Sequence, residues 1–187
     1  MKADNTVARS LHDVGLAAWF GGSLMGAVSL NRVAGEAKEP RQRLDVANRG
    51  WAAWTPVNLA GIAAHLAGGA ALLAANKARL ASQPGVGRTA AVKTALTGAA
   101  LALTAYSRVL GRRLEQASTA PVQDATTPTD ETPAEVARPQ RQLRVLQWMI
   151  PALTGAVLVV NARMGEQQRP AQVAGGLLGR LRRRRAA

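Results

Sequence analysis

Cysteine is absent from all 187 residues, which removes disulfides, thiolate metal sites and cysteine nucleophiles from consideration. Its absence fits either redox compartment. Aromatic residues make up 3%, with one Phe and one Tyr, so any water-excluding core has to be built from Ala, Leu and Val. Acids are scarce as well: 11 Asp and Glu face 24 Lys and Arg, a net charge of +13. None of those acids falls within the four long uncharged runs, which excludes paired-carboxylate chemistry there.

The placement of the cations narrows what the surplus means. A nucleic-acid groove mixes Lys and Arg with aromatics along one face, whereas here the cations flank uncharged runs. Val14 to Leu30 carries no charge, nor does Gly50 to Asn76, between Arg49 and Lys77. Val145 to Ala162 is uncharged between Arg144 and Arg163, and Thr94 to Ser107 is a shorter run between Lys93 and Arg108. A hydrocarbon core of about 30 Å needs roughly 20 helical residues. Val14 to Leu30, Gly50 to Asn76 and Val145 to Ala162 reach the practical minimum of about 17 residues; Thr94 to Ser107 does so only if Lys93 and Arg108 snorkel.

These runs predict an all-α, four-helix transmembrane bundle with spans near 12–31, 51–75, 90–110 and 144–162. Residues 115–139, rich in Thr, Pro and acids, read as a disordered loop. Residues 163–187 form a basic tail. PGVGRT (84–89) resembles part of a phosphate loop without its Gly-Lys-Ser/Thr ending, and reads as a turn. Ala27-Val28-Ser29 is an acceptable signal-peptidase pattern, but Asp4 and Asp13 break the basic leader, so an uncleaved first helix is expected. The two sides of a four-span bundle carry 13 and 11 of the cations. The acid-free connection 77–88 and the Arg-rich tail place both termini inside.

Helical spacing sorts the polar residues. Trp51, Trp54, Asn58, Gly61, His65 and Gly68 share one side of the second helix, opposite Leu59, Ile62, Leu66 and Leu73. Gly15, Gly22 and Gly26 mark a small-residue face on the first. Such faces are the usual contact material between membrane helices, so Gly15, Gly22, Gly26, Gly61 and Gly68 are expected at packing contacts. His65, Asn58, Gln147 and Asn161 are the candidates for an intramembrane polar site. His12 and His65 fall at comparable depth, where two imidazoles can ligate haem iron or copper, but two histidines without a spacing signature read first as groups hydrogen-bonded to a neighbouring helix. No cofactor is expected. Arg180, Arg182, Arg183, Arg184 and Arg185 read as contacts to anionic lipid headgroups.

The segment LHDVGLAAWFGGSLMGAVSLN, with the long Trp/Asn/His-bearing run after it, resembles a group of uncharacterised small multispanning membrane proteins of high-GC actinobacteria. The resemblance covers mainly residues 11–76 and implies location and topology. His12, Trp19, Gly21 and Gly22 are also similar to the start of copper-resistance-type membrane proteins, over too short a stretch to carry ligands across.

The expectation is a non-enzymatic accessory or scaffold subunit of the cytoplasmic membrane. Its partners would be the bilayer and other membrane subunits, with nucleic acid disfavoured. Two alternatives stay open: a small transporter or haem/metal-binding subunit using His12 and His65, and a soluble basic bundle that binds anionic partners.

Overall fold

The structure, a computed structural model, describes residues 5–77 and 84–166. The described residues form four long helical segments. The first, α1, spans Thr6–Met25, then passes through a wide π-type turn at Gly26–Leu30 and two short helical pieces to Glu36. After Ala37 to Glu39, α2 runs Pro40–Ala75, α3 runs Pro84–Gln116 and α4 runs Ala134–Glu166. Pro40 and Pro84 open their helices, where a missing N–H costs nothing. Residues 84–89 therefore begin a helix rather than make the expected turn. Pro56 and Pro151 lie inside helices, and beside them Thr55 and Thr154 turn their hydroxyls onto the carbonyls of Trp51 and Ile150.

Three of the four, Thr6–Glu36, Pro40–Ala75 and Ala134–Gly165, are long and apolar enough to cross a membrane. The expected third span, 90–110, lies wholly in α3. That helix falls short on composition because Lys93, Arg108, Arg112 and Arg113 are spread along it.

Packing is uneven. The main contacts are α1 on α2, α3 on α4, and α1 on α4, while α2 and α3 barely meet. The α1–α2 contact is close because glycines face glycines or indoles. A methyl group on Gly61 would lie 3.2 Å from the Ala18 Cβ and from the Gly15 carbonyl oxygen. Gly22 faces the indole of Trp54, and Gly26 that of Trp51. Large apolar side chains point the other way: Val14 is 68% exposed, Leu59 65% and Val159 70%.

At 1.5 Å per residue a 33-residue helix is about 50 Å long, well beyond the ~30 Å of hydrocarbon. The surplus at one end of the bundle is covered by residues whose composition predicts disorder. Within 115–139, residues 115–116 and 134–139 are helical, and 117–133 fold back as a cap. Val122 is fully buried against Leu44, Leu114 and Val136, and Ala125 packs on Ala34 and Ala47. Backbone groups are satisfied by neighbours: Ala125 N–H donates to the Asn31 carbonyl (3.2 Å), Gln140 Nε2 to Asp124 (3.0 Å), and Thr132 Oγ1 to Pro121 (2.6 Å). Thr/Pro-rich composition hides this, since two apolar anchors and a few inward hydroxyls suffice to hold so short a loop. The arginines of the tail lie outside the described residues.

Candidate functional site

The polar groups inside the bundle gather at two levels. Toward the end away from the cap, the α1–α2 contact brings His12 and His65 face to face. Their rings stack with centroids 4.0 Å apart and planes 18° off parallel. His12 Nδ1 lies 2.8 Å from the His65 carbonyl oxygen, and His65 Nδ1 lies 2.9 Å from that of His12. A carbonyl only accepts, so both Nδ1 atoms carry the proton and donate. The pair is reciprocal, and both rings are buried, at 3% and 2% exposure.

The backbone around the pair has the same symmetry. A methyl on Gly15 would lie 2.6 Å from the His65 amide nitrogen, with the Gly61 carbonyl closer still. A methyl on Gly68 would lie 2.6 Å from the His12 amide nitrogen, with the Ala8 carbonyl closer still. Residues 8–15 (ARSLHDVG) and 61–68 (GIAAHLAG) thus share one pattern: small, three residues, His, two residues, Gly. Two antiparallel copies of it make a local two-fold. Only residues without a side chain beyond Cβ allow the backbones near enough for each imidazole to reach the opposite carbonyl.

The outward nitrogen of His12 has a partner whose place at the end of an uncharged run predicts a position in the interface. Lys93 of α3 puts Nζ 2.6 Å from His12 Nε2. The ammonium donates and the imidazole accepts, in keeping with the proton on Nδ1. Asn161 of α4 sits nearby, its amide 3.5 Å from Asp13 Oδ1. A cavity of about 700 Å³ opens beside this cluster, with Arg9, His12, Asp13, His65, Lys93 and Asn161 among its walls.

The second level lies nearer the cap. Asn31 donates to Gln147 Oε1 (2.9 Å) and accepts from Trp51 Nε1 (2.8 Å), joining α1, α4 and α2. The π-type turn just before Asn31 adds a residue to the helical turn, which rotates Asn31 and its successors about the helix axis. Deeper in, Trp19 Nε1 donates to Thr104 Oγ1 (3.1 Å), joining α1 to α3. A cavity of about 490 Å³ between these bonds is walled largely by apolar groups, with Asn58 on its lining. The side-chain oxygen of Asn58 is buried without a hydrogen-bond partner.

The four candidates for one polar site are therefore divided. His65 and Asn161 line the larger cavity, while Asn58 and Gln147, the latter bonded to Asn31, line the smaller one. Gly15, Gly22, Gly26, Gly61 and Gly68 all sit at the α1–α2 contact. Lys93, Asn31 and Trp19 do not stand out as site residues from sequence. The spacing of Lys93, Thr97 and Thr104, which share a helical face, is the signal that points to Lys93.

The histidines meet, but not as a bis-histidine haem site would have them. Such a site holds its imidazoles on opposite faces of a porphyrin, whereas these rings stack on each other and the His12 Nε2 is engaged by an ammonium. Among the described residues no cluster of three or more His, Cys, Asp or Glu could hold a metal ion. Comparison with protein-family models, with curated proteins and with solved structures gives no match for this chain.

Proposed function

We propose that the protein is a multi-pass integral membrane protein of non-enzymatic type, an accessory or scaffold subunit of the cytoplasmic membrane with both termini on the cytoplasmic side. The observation that carries this reading is that the helices leave large apolar side chains facing outward while burying several polar ones. His12, His65, Asn31, Gln140 and Thr154 are buried, while Val14, Leu59, Leu73 and Val159 are more than half exposed. A water-soluble basic bundle would gain by turning those Leu and Val side chains inward. In lipid the arrangement is the favourable one, because apolar groups face the chains and polar groups bond between helices.

α3 joins the three apolar helices as a fourth span. Its Lys93 is turned onto His12, its Thr104 accepts from Trp19, and Arg108 pairs with Glu115 near the cap. Lys93 and Arg108 are 15 residues apart, about 22 Å along the axis, so both can reach the edges of the hydrocarbon. Hydropathy undercounts such a helix because it ignores which way the charges face. The scaffold role is supported by a bundle whose inward polar groups mostly bond to one another. The tail arginines, Arg180 and Arg182 to Arg185, belong to the same proposal as contacts to anionic lipid headgroups, as do the location and topology implied by the resemblance over residues 11–76.

The cysteine-free chain is a ready background for the test. Single cysteines at Val14, Leu59 and Val159 are expected to resist a membrane-impermeant maleimide in intact membranes. Cysteines at Gln123 and Lys77 are expected to label from opposite sides, with the protein retained after carbonate extraction. Release by carbonate, or labelling of all five positions from one side, would refute the four-span reading.

A further inference from the structure

We propose that the cavity beside Lys93 is a binding site for an anionic phospholipid of the bilayer. The site takes the phosphate at Lys93 and Arg9, and an acyl chain along the groove between α2 and α3. This rests on the membrane reading above, but concerns a different place from the Arg-rich tail.

Charge comes first. Lys93 is half-buried, and its ammonium bonds to a neutral acceptor, the His12 Nε2 at 2.6 Å. Among the described residues it makes no salt bridge. Arg9 lies on the same wall, and Asp13 is the one carboxylate there. With two cations, Lys93 and Arg9, facing one carboxylate, Asp13, and Lys93 hydrogen-bonded, among the described residues, only to a neutral imidazole, this low-dielectric wall favours a further anion. This end of the bundle, with the start of α1, the end of α2, the start of α3 and the end of α4, is where the head of a lipid would sit.

Shape comes second. The rest of the cavity, about 700 Å³ in volume, has apolar walls that include Leu66, Leu73, Leu101 and Leu158. It is not sealed laterally, because α2 and α3 barely touch, and Leu66 and Leu73 are 42% and 55% exposed. Leu101 also lines the second cavity, of about 490 Å³, so the two cavities are neighbours across that side chain. A soluble anion would use the mouth and leave the groove empty. A phospholipid uses both.

The test uses the full-length chain, purified in detergent and stripped of lipid, with thermal unfolding followed by circular dichroism. Phosphatidylglycerol, phosphatidylcholine and inorganic phosphate are titrated separately. Saturable stabilisation by phosphatidylglycerol alone is expected. Lys93→Gln, which keeps a donor for His12, is expected to raise the half-saturating phosphatidylglycerol concentration about fivefold, and Lys93→Arg to restore it. Arg113→Gln, at the cap end and on the lining of neither cavity, is expected to leave it unchanged. Gly98 lines the cavity, and a methyl there would meet no atom within 4 Å, so Gly98→Leu, its fold checked by the same circular dichroism, places a side chain in the groove; it too is expected to weaken the response.

Equal stabilisation by phosphatidylcholine would overturn the proposal, as would stabilisation by phosphate alone to the same degree. An unchanged response in Lys93→Gln, or in Gly98→Leu should Lys93→Gln fail to fold, would do the same. A protein that stays in carbonate-washed membranes yet shows no selectivity sinks this inference and spares the membrane reading.

Discussion

Adding one methyl group at Gly68 tests the reciprocal histidine pair at its backbone. In Gly68→Ala the new carbon would lie 2.6 Å from the His12 amide nitrogen and closer to the Ala8 carbonyl. Both are main-chain atoms of α1, so relief comes only from parting the helices. Opening that contact to about 3.0 Å or more stretches the two Nδ1–carbonyl bonds, now 2.8 and 2.9 Å, to the edge of useful geometry. Overpacking of this kind costs about 2 kcal/mol. Interhelical hydrogen bonds in membranes average about 0.6 kcal/mol each, so losing two adds about 1 kcal/mol. Replacing Gly by Ala inside a helix returns about 1 kcal/mol, which leaves a net loss of about 2 kcal/mol. Gly21→Ala is the control: its methyl would meet nothing within 4 Å, so only the helix-propensity gain of up to about 1 kcal/mol remains. The two variants should differ by about 3 kcal/mol in reversible SDS unfolding followed by circular dichroism. A difference below about 1 kcal/mol would show that the helices do not approach closely enough at Gly68 for a methyl to part them.

Other consequences can be measured alongside. His12→Ala and His65→Ala should each destabilise the bundle, and the double variant should cost about 1 kcal/mol less than their sum, because either deletion already removes the stack; strict additivity in the same SDS assay would argue that the rings do not interact. Val122→Asp places a carboxylate at a fully buried position among Leu44, Leu114 and Val136, so limited proteolysis should cut 117–133 rapidly in the variant and slowly in the parent. Rapid cutting of the parent would contradict a folded cap. Trp19→Phe and Thr104→Val remove opposite ends of one 3.1 Å bond, and combining them should cost little beyond the more damaging single change. A double variant at the full sum would separate the two residues.

The helices are legible in the sequence because long uncharged runs are what a helix able to cross a membrane requires, and α1, α2 and α4 each contain one. The glycine faces are legible too: a helix with Gly61 and Gly68 on one side and Leu59, Leu66 and Leu73 on the other says which side packs. The meeting of the histidines is half legible. Their similar depth comes from counting residues, but the shared small-His-Gly pattern of 8–15 and 61–68 is two short copies without a fixed period, and its meaning depends on the antiparallel register. Lys93 is hidden because a cation at the end of a marginal run looks like an interfacial anchor until its partner on another helix is known. The cap is hidden because composition averages over a segment, whereas the fold of 117–133 depends on where Val122 and Ala125 sit against Leu44 and Ala47.

The local two-fold of the α1–α2 contact bears on assembly. A contact whose halves are alike does not record whether they belong to one chain. In the membrane topology proposed above, α1 cannot pair in this antiparallel way with the α1 of another copy, since both would run the same way through the bilayer. That topology leaves α1 of one copy free to seat on α2 of the next with every histidine bond intact. Closure within a chain is favoured by the short connection through Ala37 to Glu39, which fixes the local concentration of one helix about the other, and by the contacts that α1 makes with α3 and α4. Stiffening or straightening that connection would shift the balance toward a domain-swapped dimer, with no change to any residue in the α1–α2 contact.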